Sequence, residues 1–356
     1  MIPCLSHSQY ETMRCMQNTK DNVQKKNQAQ HVRAVCLDFN WDLLKRPASP
    51  GLYNQADPQE HLDWHLSHGV NVIHTFCVSY NGYAWYKDSG HAPVTPGLQH
   101  DFLPTITAGA HREGLRVMGY FCLGANPYWS LRNPGRSYSR QIPNDINIPL
   151  AEDYLDYFCD NVADTLKKVP IDGFMIDWVN RPRRSKEWKE IEAELYRSLM
   201  GEALPTDKPI PDDVMLEYDR RAIDRAWGRI RDTVDRVSPS TLIWTNHPLS
   251  AKDKTLWENT RVLQEVDWIL NESEDTSLLQ WLEDQCGNDT RIIQCLSGWE
   301  THDANAALDA LDTDRDLYGF CKVAPNTGLP SPDISRIDYN NIHTLTQLYS
   351  RLRTKT

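Results

Sequence analysis

The sequence predicts a single α/β domain: a (β/α)8 TIM barrel with a polar N-terminal extension. Three observations predict it. From residue 33 onward, short apolar runs alternate with longer amphipathic ones, the pattern of parallel strands joined by crossover helices. Eight such strand runs follow one another, enough to close a barrel. No glycine-rich phosphate loop follows the first run, where Asp38-Phe39-Asn40-Trp41 stands, and this weighs against a doubly wound open sheet.

Residues 1–32 are polar and rich in Gln, Asn and Lys, and read as an extension; 33–356 carry the barrel. The first strand is expected over Ala34 to Phe39. A helix follows from Pro58 to His68, with Asp57 as N-cap, Pro58 in the first helical position and Gly69 as stop. The second strand spans Val70 to Val78, and a long loop runs from Ser79 to Gln99. A helix from Asp101 to Glu113 ends at Gly114. The third strand is Leu115 to Leu123; a loop carrying Asn126, Tyr128, Trp129 and Pro134 leads to a helix over Leu150 to Lys168. The fourth strand is Ile171 to Asp177. After it come a helical insertion, Lys186 to Met200, and a long helix, Asp212 to Val237. The remaining strands are Thr241 to Asn246, Asp267 to Asn271, Arg291 to Leu296 and Asp316 to Lys322, and Tyr339 to Leu352 reads as a closing helix.

Composition narrows the function. The apolar share of 40% suffices for a full core over 356 residues. Twelve Trp and fifteen Tyr favour a ligand with C–H faces, such as a sugar, although ordinary core packing accounts for most of them. A net charge of −11, with no long basic stripe, argues against nucleic acid. The cluster Arg181-Pro182-Arg183-Arg184 suits an anion, an ion pair or a loop anchor. Nine cysteines show no CxxC or Cys/His zinc spacing, and Cys36, Cys77, Cys295 and Cys321 fall inside strands as small apolar residues. No apolar h-region and no membrane-length run appear, so a reduced, cytoplasmic protein with no membrane partner is expected. No cofactor and no metal are expected. A barrel standing alone can bury its outer faces in a homo-oligomer, and the sequence leaves that open.

The stretch Ile171-Asp172-Gly173-Phe174-Met175-Ile176-Asp177-Trp178 is the most telling. It reads as a buried strand ending on a carboxylate, and the C-terminal ends of barrel strands are where catalytic groups collect. Asp177 could instead cap the next helix or pair with Arg181 or Arg183. The other strand ends supply Asp38, Asn40 and Trp41; Tyr80, Asn81 and Tyr83; Tyr120 and Asn126; Trp178, Asn180 and Arg181; Asn246 and His247; Glu272 and Glu274; Trp299; and Lys322. This set is polar, aromatic and acidic, as carbohydrate-binding sites are. Asp38 could hold a sugar hydroxyl or orient Lys322. His247 could bond a hydroxyl or tune a carboxylate. His74, inside the second strand, reads as a core histidine.

Glycoside hydrolysis needs two carboxyl groups across the scissile bond, ~5–5.5 Å apart for retention and ~6.5–9.5 Å for inversion. Asp177, after the fourth strand, would be the nucleophile. Glu272, after the sixth, would be the acid/base, with Glu274 in reserve. Acids at 272 and 274 could also simply favour a helix N-terminus.

Further stretches resemble a known group. These are Asn71 to Phe76, Tyr80 to Tyr86, His111 to Tyr120, Asp172 to Asp177 and Asp267 to Ser273. Together they look like the hypothetical glycosyl hydrolase families related to the α-L-fucosidases of glycoside hydrolase family 29. The resemblance implies a barrel glycosidase, expected to be retaining, that cleaves a terminal α-L-fucoside or a related sugar. Asp177 matches the nucleophile position, while Glu272 is less firmly matched. The chain departs from the family at Asn40-Trp41 and Tyr80-Asn81, where histidines usually stand, and is expected to end with the barrel's last helix instead of a β-sandwich. Two other functions fit the same strand ends: a metal-dependent sugar isomerase or epimerase, using Glu272, Asp177, His247 and Asp38 as ligands, and a non-catalytic carbohydrate-binding barrel.

Overall fold

A computed structural model describes residues 30–42, 47–137, 147–179, 188–205, 209–247, 254–272, 277–295 and 315–321. Eight strands run parallel and close into a barrel in chain order. They are β1 (Arg33–Leu37), β2 (Val72–His74), β3 (Arg116–Cys122), β4 (Gly173–Asp177), β5 (Leu242–His247), β6 (Trp268–Asn271), β7 (Arg291–Cys295) and β8 (Asp316–Cys321). β1 pairs with β8 over five residues, from Arg33 opposite Leu317 to Leu37 opposite Cys321, so the sheet has no free edge. The (β/α)8 barrel expected from the sequence is thus the observed fold.

The helices among the described residues are α1 (Pro58–Ser67), α2 (Phe102–Arg112), α3 (Pro127–Arg132), α4 (Glu152–Lys168), α5 (Glu190–Met200), α6 (Asp212–Val237), α7 (Lys254–Trp257), α8 (Arg261–Glu265) and α9 (Ser277–Gln285). Asp57 caps α1 as its position predicts, accepting from the backbone N–H groups of Gln59 and Glu60. Gly114 adopts a φ of +75° past the end of α2, a conformation that favours glycine. None of the described helices is long and apolar enough to cross a membrane.

Three expectations need correction. The region after the third strand is not all loop. Asn126 caps the short helix α3 by accepting from Trp129 N, and Pro127 stands at its first position. The Asn-Pro pair was the signal for that helix. The second strand is regular only from Val72 to His74. Beyond it the chain stays bonded to β3, but Cys77 N and Val78 N both donate to Tyr120 O, which breaks the ladder. Two short helices, α7 and α8, fill the β5–β6 connection, where the sequence reading placed none. The expected closing helix, Tyr339 to Leu352, and most of the 1–32 extension lie outside the described residues.

Strand alternation sorts residues into two sets. One set, including Cys36, His74, Tyr120, Met175, Trp244 and Tyr318, fills the barrel; His74 and Tyr318 both pack against the Trp244 ring, at 5.2 and 5.3 Å between centroids. The other set packs under the helices. Phe39 is the hub there, with ring contacts to His61, Phe76, Trp85 and Phe102. The N-terminal end of the barrel is closed by Arg116, Trp268, Arg291 and Asp316, one at the start of each of four strands. The Arg116 and Arg291 guanidinium carbons lie 5.0 and 5.9 Å from the Trp268 ring centre, and Arg291 Nε is 3.1 Å from Asp316 Oδ2.

Candidate active site

At the opposite end, β4, β5 and β6 bring three polar side chains together. Asp177 is the last residue of β4, Asn246 stands one residue before the end of β5, and Glu272 follows directly after β6. Their register follows from the pairing of Ile176 with Thr245 and of Asn246 with Leu270. Asp177 and Asn246 therefore occupy neighbouring inward positions, and Glu272 follows Leu270 on the same face.

The Asn246 Nδ2 group donates to Asp177 Oδ1 at 2.6 Å and to Glu272 Oε2 at 2.9 Å. Two bonds meeting at one nitrogen hold those oxygens no farther apart than their combined length, about 5.5 Å. Tyr120, from β3, donates its hydroxyl to Asp177 Oδ2 at 2.7 Å. The Trp178 backbone N–H donates to Asp177 Oδ1 at 2.8 Å. The residue that makes this last bond has an uncommon backbone: Trp178 has a φ of +58°. Such a conformation costs a non-glycine residue ~1–3 kcal/mol and is found where the surroundings enforce it. Gly124 makes room for it, since a Cβ there would lie 2.5 Å from Trp178 O.

The two carboxyl groups sit in unequal environments. Burial raises the pKa of both above the ordinary range. For Glu272 burial is the larger cause and the Asp177 charge adds to it, pushing the group up to about 7. Three donors (Tyr120, Trp178 N and Asn246) counter burial at Asp177, against Asn246 alone at Glu272. Asp177 is therefore the group that ionises and Glu272 the one that keeps its proton. Asp38 also raises Glu272 through its charge.

The remaining expected site residues divide by what they touch. Asp38 Oδ1 accepts from Asn40 N at 2.8 Å, and Asn40 Oδ1 accepts from Tyr80 N at 2.8 Å, so this pair braces the mouth. Trp41, Tyr80 and Trp178 form an aromatic wall, with centroids 5.7 Å (Trp41–Tyr80) and 5.1 Å (Tyr80–Trp178) apart; the outer two rings are partly exposed and Tyr80 is buried. Asn81 bonds Ala48 O and Tyr83 N, Tyr83 packs on Tyr128, and Asn126 caps α3. These three therefore shape loops. His247 ends β5 opposite Asn271, and its side chain lies outside the described set. Asn180, Arg181, Glu274, Trp299 and Lys322 lie outside the described residues. Among the described residues no group of three or more His, Cys, Asp or Glu could hold a metal ion. His74 is a buried core histidine, its Nδ1 2.9 Å from the Tyr318 hydroxyl; burial lowers it to about 3, so it is neutral. Tyr318, which lines the floor, was not among the expected residues; its alternation with Asp316 along β8 was the available signal.

No family model matches this chain, and no curated protein does. Solved structures share its fold. The chain is similar to α-L-fucosidase isoenzyme 2 from Paenibacillus thiaminolyticus, with a TM-score of 0.62 and 15% identity over 92% of this chain and 50% of that one. It is similar to the PgaB (BpsB) glycoside hydrolase domain from Bordetella bronchiseptica, with a TM-score of 0.56 and 14% identity over 88% of this chain and 98% of that one. The α-galactosidase AgaB from Geobacillus stearothermophilus follows at a TM-score of 0.50 and 12% identity, over 91% of this chain and 41% of that one. The chain thus spans about half the length of the fucosidase. At these identities the likeness shows a shared barrel fold, one that these glycoside hydrolases use.

Proposed function

We propose that this protein is a retaining glycoside hydrolase with Asp177 as nucleophile and Glu272 as acid/base. The observation that carries the reading is that one amide nitrogen bridges the two carboxyl groups, which holds Asp177 Oδ1 and Glu272 Oε2 within about 5.5 Å of each other, closeness that favours retention over inversion. The unequal environments supply the roles. Asp177, ionised, attacks the anomeric carbon while Glu272 passes its proton to the departing glycosidic oxygen, whose bond to that carbon breaks. Glu272, now ionised, then takes a proton from water, and the water oxygen displaces Asp177 from the sugar with net retention.

The substrate is a carbohydrate with a terminal sugar, an α-L-fucoside or a related residue. The partly exposed rings of Trp41 and Trp178 offer apolar faces for its C–H groups. The test is hydrolysis of a panel of aryl glycosides, α-L-fucoside included, with the product anomer followed by NMR. Asp177→Asn should lower kcat by on the order of a thousandfold or more, because the nucleophile carries a large share of the barrier reduction. An inverted product, or equal turnover by Asp177→Asn, would refute these roles.

A further inference from the structure

One amide nitrogen between two carboxyl groups has a definite chemical consequence. An asparagine NH2 has two hydrogens, and in Asn246 one points to Asp177 Oδ1 and the other to Glu272 Oε2. Both donors are used, so this nitrogen has none left for a sugar hydroxyl. Asp177 Oδ1 also accepts from Trp178 N, so its two lone-pair directions are taken. Among the described residues, Oδ2 accepts only the Tyr120 hydroxyl, which leaves a lone pair for carbon. At Glu272, Oε2 is engaged by a donor and therefore acts as the carbonyl oxygen of the acid. Among the described residues, no hydrogen bond reaches Oε1.

We propose that Asn246 is a positioning residue that assigns the reacting oxygens: it holds Asp177 Oδ1 and Glu272 Oε2 as spectators and leaves Asp177 Oδ2 to attack and Glu272 Oε1 to carry the acid proton. The inference rests on the retaining hydrolase reading and deepens it. In the first step an Oδ2 lone pair forms the bond to the anomeric carbon. The glycosidic C–O bond breaks with its electron pair going to the leaving oxygen, and that oxygen takes the proton from Oε1. In the second step Oε1 accepts a proton from water, the water oxygen bonds to the anomeric carbon, and the anomeric carbon–Oδ2 bond breaks with its electron pair returning to Oδ2. Through both steps Asn246 keeps the same two bonds, so neither carboxyl group has to rotate between them.

The groups around the pair define what else can move its titration. Tyr120 and Cys122 face Asp177 from β3, Asp38 acts on Glu272 from beyond β1, and Tyr318 lies near Glu272 on β8. Both phenols and the thiol are raised by burial and stay neutral, so among the described residues Asp38 is the charge besides Asp177 that acts on Glu272. Among the described residues, Asn246 is the amide that lowers both carboxyl groups.

The test is a 13C carboxyl NMR titration of the full chain as wild type, Asn246→Ala and Asn246→Asp, alongside kcat, KM and the pH profile on the best aryl glycoside. Loss of the shared donor should raise the Asp177 and Glu272 midpoints together by about one unit. It should also lower kcat by roughly a hundredfold at nearly constant KM, with both limbs of the pH profile displaced upward. Asn246→Asp keeps the side-chain shape, so it reports on the donor even where Asn246→Ala folds poorly. Its midpoints should rise further, because it adds a charge. Unmoved midpoints in either folded variant, or a loss confined to KM, would overturn the proposal and make Asn246 a packing or sugar-binding residue. Midpoints that move in a protein inactive on every glycoside would uphold the positioning role and remove the hydrolase reading instead.

Discussion

Glu272 must hold a proton near neutral pH to act as an acid, and its surroundings make that proton cheap to keep. Burial and the neighbouring Asp177 charge raise it from 4.5 to about 7. The same shift has a cost for stability. Between pH 4.5 and about 7 the folded chain binds more protons at this site than the unfolded chain, so stability falls as pH rises through that window. The loss is complete above about 7 and amounts to at most about 3 kcal/mol, shared with Asp177. Glu272→Gln removes the titrating group and keeps its shape. Thermal melts should therefore show the variant more stable than wild type at pH 8 and about equal at pH 4. Equal differences at both pH values would show that burial does not drive the shift. For activity, kcat/KM should fall above pH 7 in wild type as the acid proton is lost.

At the scale of elements, the turn after β4 sets the surroundings of the Asp177 carboxylate. Trp178 adopts a positive φ, and Gly124, just beyond β3, lies against its carbonyl. Since the clashing atom is backbone, a side chain at 124 cannot be absorbed by a rotamer change. Gly124→Ala should cost about 1–3 kcal/mol and disturb the Trp178 N–H bond to Asp177. Urea titration and kcat measured together check this: both should fall. Lost stability with full activity would mean that the turn does not orient Asp177. The long β2–α2 connection is held differently, by Asp164 on α4, which accepts from Gly90 N at 2.9 Å and from the Tyr86 hydroxyl at 2.8 Å. That anchor places the loop carrying Tyr80 beside Trp41 and Trp178.

Across the whole molecule, the two ends of the barrel divide the work. The C-terminal end carries the carboxyl pair, and the N-terminal end is sealed by Arg116, Trp268, Arg291 and Asp316. Asp316 also accepts from Val32 N at 2.6 Å, which ties the start of β1 to β8 where the barrel closes. Removing it leaves the largely buried Arg291 without this carboxylate and Val32 N without this acceptor. Asp316→Ala should destabilise the fold by about 3 kcal/mol while leaving KM near wild type. Denaturant melts and steady-state kinetics check the two halves of that statement; a changed KM with unchanged stability would contradict it.

The sequence by itself determined the architecture, because hydrophobic periodicity and helix stops are local signals. The runs ending at Asp177 and Asn271, the Asp57-Pro58 helix start and Gly114 all read directly from neighbouring residues. It also placed Asp177 and Glu272 at the ends of the fourth and sixth strands, since a strand end is visible in the chain. Local patterns could not show that Asn126 turns its side chain onto Trp129 N to cap α3, although the Asn126-Pro127 pair marked the helix start. Nor could they separate Asn246, between the carboxyl groups, from Asn81 and Asn126, which brace loops. All are amides near strand ends. Asn246 lies 69 residues from Asp177 and 26 from Glu272. Only closure of the barrel, with β5 set between β4 and β6 in a fixed register, brings one amide within hydrogen-bonding distance of both carboxyl groups.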